Sequence, residues 1–283
     1  MQKHRCLCGT GAAAIADTQK NTVTSMKKYI LDLVVKSVEA LSDKHVLIKL
    51  SHDKQLPPML PGQFVEVRVD QSPSTFLRRP ISINYVDRGH NELWLLVAAI
   101  GDGTRRLARL HEGDTLNCVL PLGNGFTMPT AADKKVLLVG GGVGVAPLLY
   151  FGKQIKDMGA QPTFLLGART AADLLELELF KTVGRVFVTT EDGSMGERGF
   201  VTNHSVLAHE RFDQISTCGP KPMMVAVARY AKAEGIDCEV SLENKMACGV
   251  GACLCCVEKT TKGNVCVCKE GPVLNINQLS WQI

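Results

Sequence analysis

The feature that most constrains this chain is a group of cysteines close to its C-terminal end. Three of them have the spacing C-x4-C-x2-C, the plant-type spacing of [2Fe–2S] ligands, with a fourth ligand expected further along the chain. Glycines lie within this group, and glycine readily adopts the positive φ angles of a loop that wraps its N–H groups around sulfide. The three candidates are Cys248, Cys253 and Cys256, and both Cys266 and Cys268 are available as the fourth. The loop predicts a protein that transfers electrons.

The cysteine distribution supports a metal centre rather than a disulfide framework. Six of the eleven cysteines lie between positions 248 and 268, whereas a disulfide framework spreads its cysteines along a small secreted chain. Cys118, Cys218 and Cys238 are scattered singly, which is typical of reduced thiols in a cytoplasmic protein. The net charge of +4 comes without a basic stripe interleaved with aromatic residues, so nucleic acid is not an expected partner.

The chain shows no segment suited to crossing a membrane. No apolar run reaches the roughly 20 residues that a span needs, so no membrane association is expected. Residues 1–26 contain basic residues and then an alanine-rich stretch, which is too poor in Leu, Ile and Val for the apolar part of a signal peptide. We interpret residues 1–26 as a disordered leader or a misassigned start, with Met26 as the true first residue.

The hydrophobic pattern divides the remaining chain into three parts. Residues 27–130 show six short alternating segments broken by turn residues, which predicts an antiparallel β-barrel with one short helix capped by Thr104. Residues 131–235 alternate apolar strands with helices, including helices over 172–181 and 203–207, which predicts a parallel α/β domain. Residues 236–283 hold the cysteine loop and a hairpin. The predicted fold class is therefore multidomain, combining α+β and α/β parts.

Two motifs point to phosphate binding. The buried strand over 135–139 leads into a glycine-rich turn and then a helix, an arrangement that brings phosphate close to the backbone. Its spacing is not a strict G-x-G-x-x-G, and a purely structural turn is the alternative. In the barrel part, the arginine pair Arg78-Arg79 begins the run Arg78-Arg79-Pro80-Ile81-Ser82, in which an arginine can bind pyrophosphate and Ser82 can hydrogen-bond a flavin ring. A solvated strand end is the alternative for this second motif.

In combination, these motifs resemble a known family. R-x-x-S at 79–82, G-x-G-T at 101–104, P-L-G-N at 121–124, G-G-G-V-G at 140–144 and C-G-P at 218–220 occur in the order seen in the ferredoxin–NADP reductase superfamily. More narrowly, residues 79–82, 121–126, 243–253 and 268–273 resemble signatures of the electron-transfer subunits of class 1B dihydroorotate dehydrogenases. The resemblance covers about residues 27–275.

The resemblance implies an electron-transfer flavoprotein that carries FAD and a [2Fe–2S] cluster and reduces NAD⁺. An FMN-containing dihydroorotate dehydrogenase subunit would supply the electrons, in a cytoplasmic heterotetramer of two copies of each subunit that serves pyrimidine biosynthesis. No side chain is expected to act as a catalytic acid or base. The FAD contacts implied are Arg79, Pro80, Ile81, Ser82, Leu96, Val97, Ala98, Gly103 and Thr104. The NAD⁺ contacts implied are Gly140, Gly141, Gly142, Gly144, Cys218, Gly219 and Pro220, and the cluster ligands are Cys248, Cys253, Cys256 and Cys268.

Some features leave room for other interpretations. Residues 97–100 lack the Arg and Glu often found there in the family, and Leu120 replaces a common Gly, which puts local FAD contacts in doubt. Arg169 suits a 2′-phosphate, so NADP⁺ remains open as the substrate. A related candidate is the flavin subunit of an NADH-dependent ferredoxin:NADP⁺ oxidoreductase or of a sulfide dehydrogenase. A structural-zinc or redox-sensing module is a third hypothesis, although zinc sites prefer two C-x2-C pairs and only Cys253 and Cys256 form one.

Overall fold

The computed structural model describes residues 27–283, and the predicted leader at 1–26 lies outside this range. The first six strands are β1 (Tyr29–Ser42), β2 (His45–Ser51), β3 (Phe64–Val67), β4 (Arg79–Asp87), β5 (Glu92–Ala98) and β6 (Thr115–Leu122). They form a closed antiparallel barrel in the order β1-β2-β5-β4-β3-β6. Alternate side chains fill its interior, as Leu33 and Val35 of β1 do, because successive residues of a strand face opposite sides. The predicted barrel is confirmed.

The helix α1 (Asp102–Leu107) follows β5 and begins before Thr104, the residue predicted to cap it. Its N-cap is Gly101. The Thr104 hydroxyl accepts hydrogen bonds from the backbone N–H groups of Ile100 at 3.0 Å and Gly101 at 3.1 Å. Thr104 therefore caps the helix from inside its first turn, because its side chain reaches back to N–H groups that precede the helix.

A seven-stranded sheet forms the second layer of the molecule. Its strands are β7 (Val136–Gly141), β8 (Thr163–Ala168), β9 (Arg185–Thr190), β10 (Glu197–Arg198), β11 (Gln214–Cys218), β12 (Asp237–Ser241) and β15 (Val273–Asn275). The order is β10-β9-β8-β7-β11-β12-β15, and every pairing is parallel except that of β12 with β15. The central strand β7 is apolar and buried along its whole length, as expected of a parallel strand covered on both faces. The predicted parallel α/β fold is confirmed.

The helices that accompany this sheet are α2 (Ala146–Asp157), α3 (Leu177–Val183), α4 (Val206–His209) and α5 (Lys221–Ala233). Two of them are shorter than predicted. The helix predicted over 172–181 is divided into a 3-10 turn and α3, because Glu176 adopts a left-handed conformation with φ +55°. The helix predicted over 203–207 is interrupted in a similar way, because His204 is extended between a 3-10 turn and α4.

The C-terminal part contributes both to the sheet and to a small separate layer. The strands β12 and β15 belong to the seven-stranded sheet, so this sheet continues beyond residue 235, where the sequence pattern predicts a domain boundary. Between them the chain forms the hairpin of β13 (Val257–Thr260) and β14 (Gly263–Cys266), followed by α6 (Val267–Glu270). The predicted hairpin is confirmed, and the exact division into domains remains a prediction.

One apolar core connects the three parts. Phe64 and Leu122 of the barrel are buried together with Val240 of the parallel sheet and with Cys256 and Cys268 from the C-terminal layer. The cysteine loop is therefore packed directly against the barrel and the sheet. Within residues 27–283 no helix has the length and apolarity required to cross a membrane.

A polar contact joins the barrel to the α/β layer. The side-chain amide of Asn84 on β4 donates to the Glu176 carboxylate at 2.8 Å and to the Ala146 carbonyl oxygen at 3.3 Å. The second carboxyl oxygen of Glu176 is shielded from solvent and has no hydrogen-bond partner. Burial raises the pKa of Glu176 to about 7, although the Asn84 hydrogen bond opposes the shift.

We expect Glu176→Gln to stabilise the protein more at pH 8 than at pH 5. The folded carboxyl holds its proton up to a higher pH than the unfolded one, so the free energy of unfolding of the parent falls between about pH 4.5 and 7. The neutral amide removes this loss, which is worth roughly 1–3 kcal/mol. Urea denaturation at both pH values measures the difference. The matched control is Glu178→Gln on the exposed side of α3, and an equal effect of Glu176→Gln at both pH values would contradict the prediction.

Candidate functional site

The cysteine loop connects β12 to β13 and carries three of the four predicted ligands. Cys256 is buried, Cys248 is half-buried and Cys253 is exposed. The fourth, Cys268, lies in α6 and is buried. Gly249 and Gly251 have φ angles of +66° and +84°, the conformation that the sequence predicts for this loop.

Backbone N–H groups of the loop point at the cysteine sulfurs. Those of Val250 and Ala252 donate to Cys248 Sγ at 3.4 and 3.3 Å, and that of Gly251 donates to Cys268 Sγ at 3.1 Å. The Cys268 N–H donates to Cys256 Sγ at 3.3 Å. Such donors stabilise negative charge on sulfur, and hydrogen bonds to the sulfurs are a feature of the environment of iron–sulfur clusters.

The four thiols lie close enough to affect one another. Cys248 interacts with Cys253, and Cys268 interacts with Cys256. Cys248 acts on Cys268 as well. Burial acts to raise the pKa of Cys248, but the surrounding N–H groups and Cys253 outweigh it and lower the pKa to about 6. Within residues 27–283 no three or more His, Cys, Asp or Glu side chains converge as ligands of a single metal ion. Four thiols with N–H donors at three of their sulfurs fit a [2Fe–2S] cluster.

Two further thiols lie beside this set. Cys255 is exposed, and Cys266 is half-buried at the end of β14, opposite Val257. The backbone N–H of Cys266 donates to the Glu270 carboxylate at 2.8 Å. Cys268 is the residue whose sulfur accepts a loop N–H, so the geometry favours it over Cys266 as the fourth ligand.

A cavity of about 340 Å³ lies where the barrel, the α/β layer and the segment before the cysteine loop meet. Its barrel side contains Pro80, Ile81, Ser82, Leu96, Ala98 and Thr104 from the predicted FAD set. Val143 and Ala146 form the α/β side, and residues 241–246 close it from the C-terminal part. The lining is mixed apolar and polar, which suits a flavin ring system.

The remaining predicted FAD residues lie close by. Arg79 extends over α1, because a Cβ built on Gly103 would lie 3.0 Å from Arg79 Nε. This close approach leaves the backbone of Gly103 and the guanidinium on one surface, which suits a pyrophosphate. Val97 differs from its neighbours Leu96 and Ala98, since its side chain is buried in the barrel core.

The predicted dinucleotide residues come from two adjacent strands. Gly140 and Gly141 end β7, Gly142 and Gly144 form the following 3-10 turn, and Cys218, Gly219 and Pro220 connect β11 to α5. The two turns touch, because a Cβ on Gly144 would lie only 2.4 Å from Gly219 Cα. Cys218 is fully buried, and burial raises the pKa of its thiol, which keeps it neutral. Loops at the carboxyl ends of adjacent parallel strands form the usual place for a dinucleotide.

The structure adds residues that the sequence reasoning did not assign. Phe64 and residues 241–246 line the cavity, and the latter segment ends two residues before Cys248. The signal for residues 241–246 is positional, since they lie at the carboxyl end of the parallel strand β12, whereas Phe64 in the barrel carries no such signal. Glu66 of β3 is fully buried, and burial raises the pKa of its carboxyl to about 7, opposed by the positive charge of Arg78.

Comparisons with known proteins agree with this arrangement. Residues 243–280 match the family model for the iron–sulfur cluster binding domain of dihydroorotate dehydrogenase B, and residues 138–229 match an oxidoreductase NAD-binding domain. The chain is 39% identical over 252 residues to the dihydroorotate dehydrogenase B (NAD(+)) electron transfer subunit of Shouchella clausii, covering 87% of this chain and 96% of the relative. The same subunit of Lysinibacillus sphaericus is 42% identical over 230 residues, covering 78% and 88%.

Solved structures show the same architecture. An NADH-dependent reduced ferredoxin-NADP oxidoreductase aligns with a TM-score of 0.79 and 28% identity, covering 88% of this chain and 90% of that one. The ferredoxin reductase of carbazole 1,9a-dioxygenase aligns with a TM-score of 0.62 and 20% identity, covering 75% and 68%, and supports the fold alone.

We expect Cys268→Ser to abolish most cluster binding and Cys266→Ser to leave it intact. Of the sulfurs of Cys266 and Cys268, that of Cys268 accepts a hydrogen bond from the loop, donated by the Gly251 N–H. Iron and acid-labile sulfide content, with visible circular dichroism of anaerobically purified protein, measures the difference. The two variants serve as each other's matched control, and loss of the cluster in Cys266→Ser alone would reverse the assignment.

We expect Gly144→Ala to weaken NADH binding by about tenfold or more. The added methyl group would overlap the backbone of Gly219 and force the two turns apart. Titration of NADH by calorimetry measures the effect, and bound flavin should stay unchanged. Gly89→Ala is the control, because its Cβ meets only a carboxylate oxygen of Asp87 at 3.3 Å. Parent-like affinity in Gly144→Ala would show that the turns do not hold the dinucleotide.

Proposed function

This chain belongs to the family of dihydroorotate dehydrogenase B (NAD(+)) electron transfer subunits, and on that basis we propose that it carries electrons from dihydroorotate oxidation to NAD⁺. The protein is an oxidoreductase subunit with FAD, a [2Fe–2S] cluster and NAD⁺ as its cofactors and co-substrate. Its place is in pyrimidine biosynthesis, where an FMN-containing catalytic subunit oxidises dihydroorotate to orotate.

One observation carries the proposal: the cavity and the cysteine loop share a segment of chain. Met246 lines the cavity, and Cys248 follows two residues later. On the opposite side, β3 lies between the two sites, with Phe64 in the cavity wall and Glu66 beneath the loop at Gly249. Electron transfer between two centres needs a short separation, and this connection supports one.

The residues of this chain supply binding and position. Arg79 and the backbone at Gly103 would hold the FAD pyrophosphate, while Ser82 and Ala98 would lie beside the flavin ring. When bound, FAD exchanges electrons singly with a cluster and as a hydride with NAD⁺, so it joins one-electron to two-electron chemistry. The turns at Gly144 and Gly219 would present the nicotinamide to the cavity. Because this chemistry needs no proton donor from the chain, we assign no catalytic acid or base.

The surface around the cysteine loop supports docking of a catalytic subunit. Val250, Leu254 and Val257 are exposed apolar residues of the loop and of the strand that follows it, and Leu254 is 64% exposed. Apolar residues grouped in this way at the surface favour protein contacts. We propose a heterotetramer of two copies of each subunit. We also propose a cytoplasmic location, supported by the lack of a disulfide among the nine cysteines of residues 27–283.

The second candidate is an NADH-dependent ferredoxin:NADP⁺ oxidoreductase subunit. It is favoured by the similarity to the solved oxidoreductase and by Arg169, which follows β8 and is exposed. In this second case the chain would have a different partner and would exchange electrons with ferredoxin and NADP⁺.

An anaerobic pull-down from the native cell separates the two candidates. We expect the tagged full chain to bring down an FMN protein, and the complex to reduce NAD⁺ with dihydroorotate in preference to NADP⁺. Cys268→Ser should bring down the same partner but transfer no electrons to NAD⁺. Capture of a ferredoxin-dependent partner without dihydroorotate activity would favour the second candidate, and purified parent protein without flavin or iron would refute both.

A further inference from the structure

Glu66 is an ionisable residue in an apolar environment. It lies in the middle of β3 and is fully buried. Both carboxyl oxygens are shielded from solvent, and neither has a hydrogen-bond partner. A buried carboxyl without a partner destabilises a fold, so its presence calls for a compensating role.

The residue that faces this carboxyl is a glycine of the cysteine loop. A Cβ built on Gly249 would lie 2.6 Å from Glu66 Cγ and 3.2 Å from Oε1, with Leu122 Cδ1 at 3.0 Å. Gly249 directly follows Cys248 in the chain. The loop therefore lies on the Glu66 side chain, and the absence of a glycine side chain lets the two approach.

The nearest cations do not neutralise Glu66 by direct pairing. Arg78 donates to the Glu66 carbonyl oxygen at 3.2 Å and to the Asn117 side chain at 2.5 Å, and Arg79 donates to the carbonyl oxygen of Leu77 at 2.9 Å. Neither guanidinium hydrogen-bonds the Glu66 carboxylate. The two guanidinium charges act on the carboxylate without a hydrogen bond, and burial keeps solvent and salt from screening its charge.

The strand position places Glu66 between the two redox sites. Glu66 pairs with Pro80 of β4, which lines the cavity, while its side chain contacts the cysteine loop. We propose that the Glu66 carboxylate tunes the iron–sulfur cluster by holding its reduction potential low. The inference rests on the proposed cluster site and adds a residue outside the ligand set.

The physical argument is electrostatic. Reduction adds an electron to a cluster that is already anionic, and a nearby buried negative charge disfavours that added charge. The net charge around a cluster is one of the factors that set its potential. A lower potential makes the cluster a stronger electron donor to the flavin across the barrel wall.

The test compares Glu66→Gln with the parent in anaerobically purified full chain. We expect Glu66→Gln to keep its iron and sulfide and to shift the reduction equilibrium about tenfold toward the reduced cluster, which is about 59 mV for one electron. Electron paramagnetic resonance during redox titration at pH 8.5 measures this midpoint independently of turnover. The matched control is Glu39→Gln, an exposed carboxyl on β1, which should leave the midpoint unchanged.

The outcomes separate this inference from the proposed function. Parent protein without iron and sulfide would refute the cluster itself. A loaded parent with an unchanged midpoint in Glu66→Gln would overturn only the role of Glu66. If Glu66→Gln binds no cluster, the midpoint of Glu66→Asp is compared with that of the parent instead. A small rise in midpoint supports the proposal, because the shorter side chain moves the charge one methylene away from the loop. A parent-like midpoint in Glu66→Asp overturns the proposal.

Discussion

Packing of the cysteine loop against the outer surface of the barrel is the contact on which the rest of the architecture depends. Cys256 and Cys268 share an apolar core with Phe64 and Leu122, which belong to barrel strands. The contact fixes the loop relative to the cavity that the barrel shares with the α/β layer. If the loop instead stood free on a tether, its distance from the flavin cavity would vary, and so would the rate of electron transfer between them.

Each of the two junctions of the barrel contains a buried carboxyl, but only one of these two carboxyls has a hydrogen-bond partner. Glu176 accepts a hydrogen bond from the Asn84 amide at the α/β junction, so the energetic cost of burying its carboxyl is partly offset. Glu66 has no such partner at the junction with the loop. In both, burial raises the pKa to about 7. Glu176 therefore helps to attach one layer to the other, whereas the role we propose for Glu66 is to act on the cluster that the loop would bind.

Local motifs accounted for most of what could be predicted from the sequence. The glycine-rich turn and the cysteine spacing depend on backbone conformation and ligand geometry within a few residues, and both are found where expected. The burial of Glu66 was not predicted because Glu66 alternates with Val65 and Val67, a pattern that predicts a solvent-facing side chain on a barrel strand. Only a loop almost two hundred residues later buries it, and no local pattern encodes that contact. Val97 was expected among the FAD contacts, but its side chain lies in the barrel core. Strand register decides which face of the barrel each residue occupies, and the local sequence does not reveal that register.

The pairing of β12 with β15 determines how the cysteine-bearing segment is connected to the sheet. Ser241 pairs with Val273, and the Leu242 N–H donates to the Pro272 carbonyl oxygen at 2.9 Å. The segment that carries the cysteines therefore begins and ends at neighbouring positions on one edge of the sheet. Closing a loop whose ends are already adjacent costs little entropy, and insertions at such sites leave the host fold undisturbed. The cysteine-bearing segment is therefore an insertion at one sheet edge, and its length can change without altering the strand order as long as its contact with the barrel is kept.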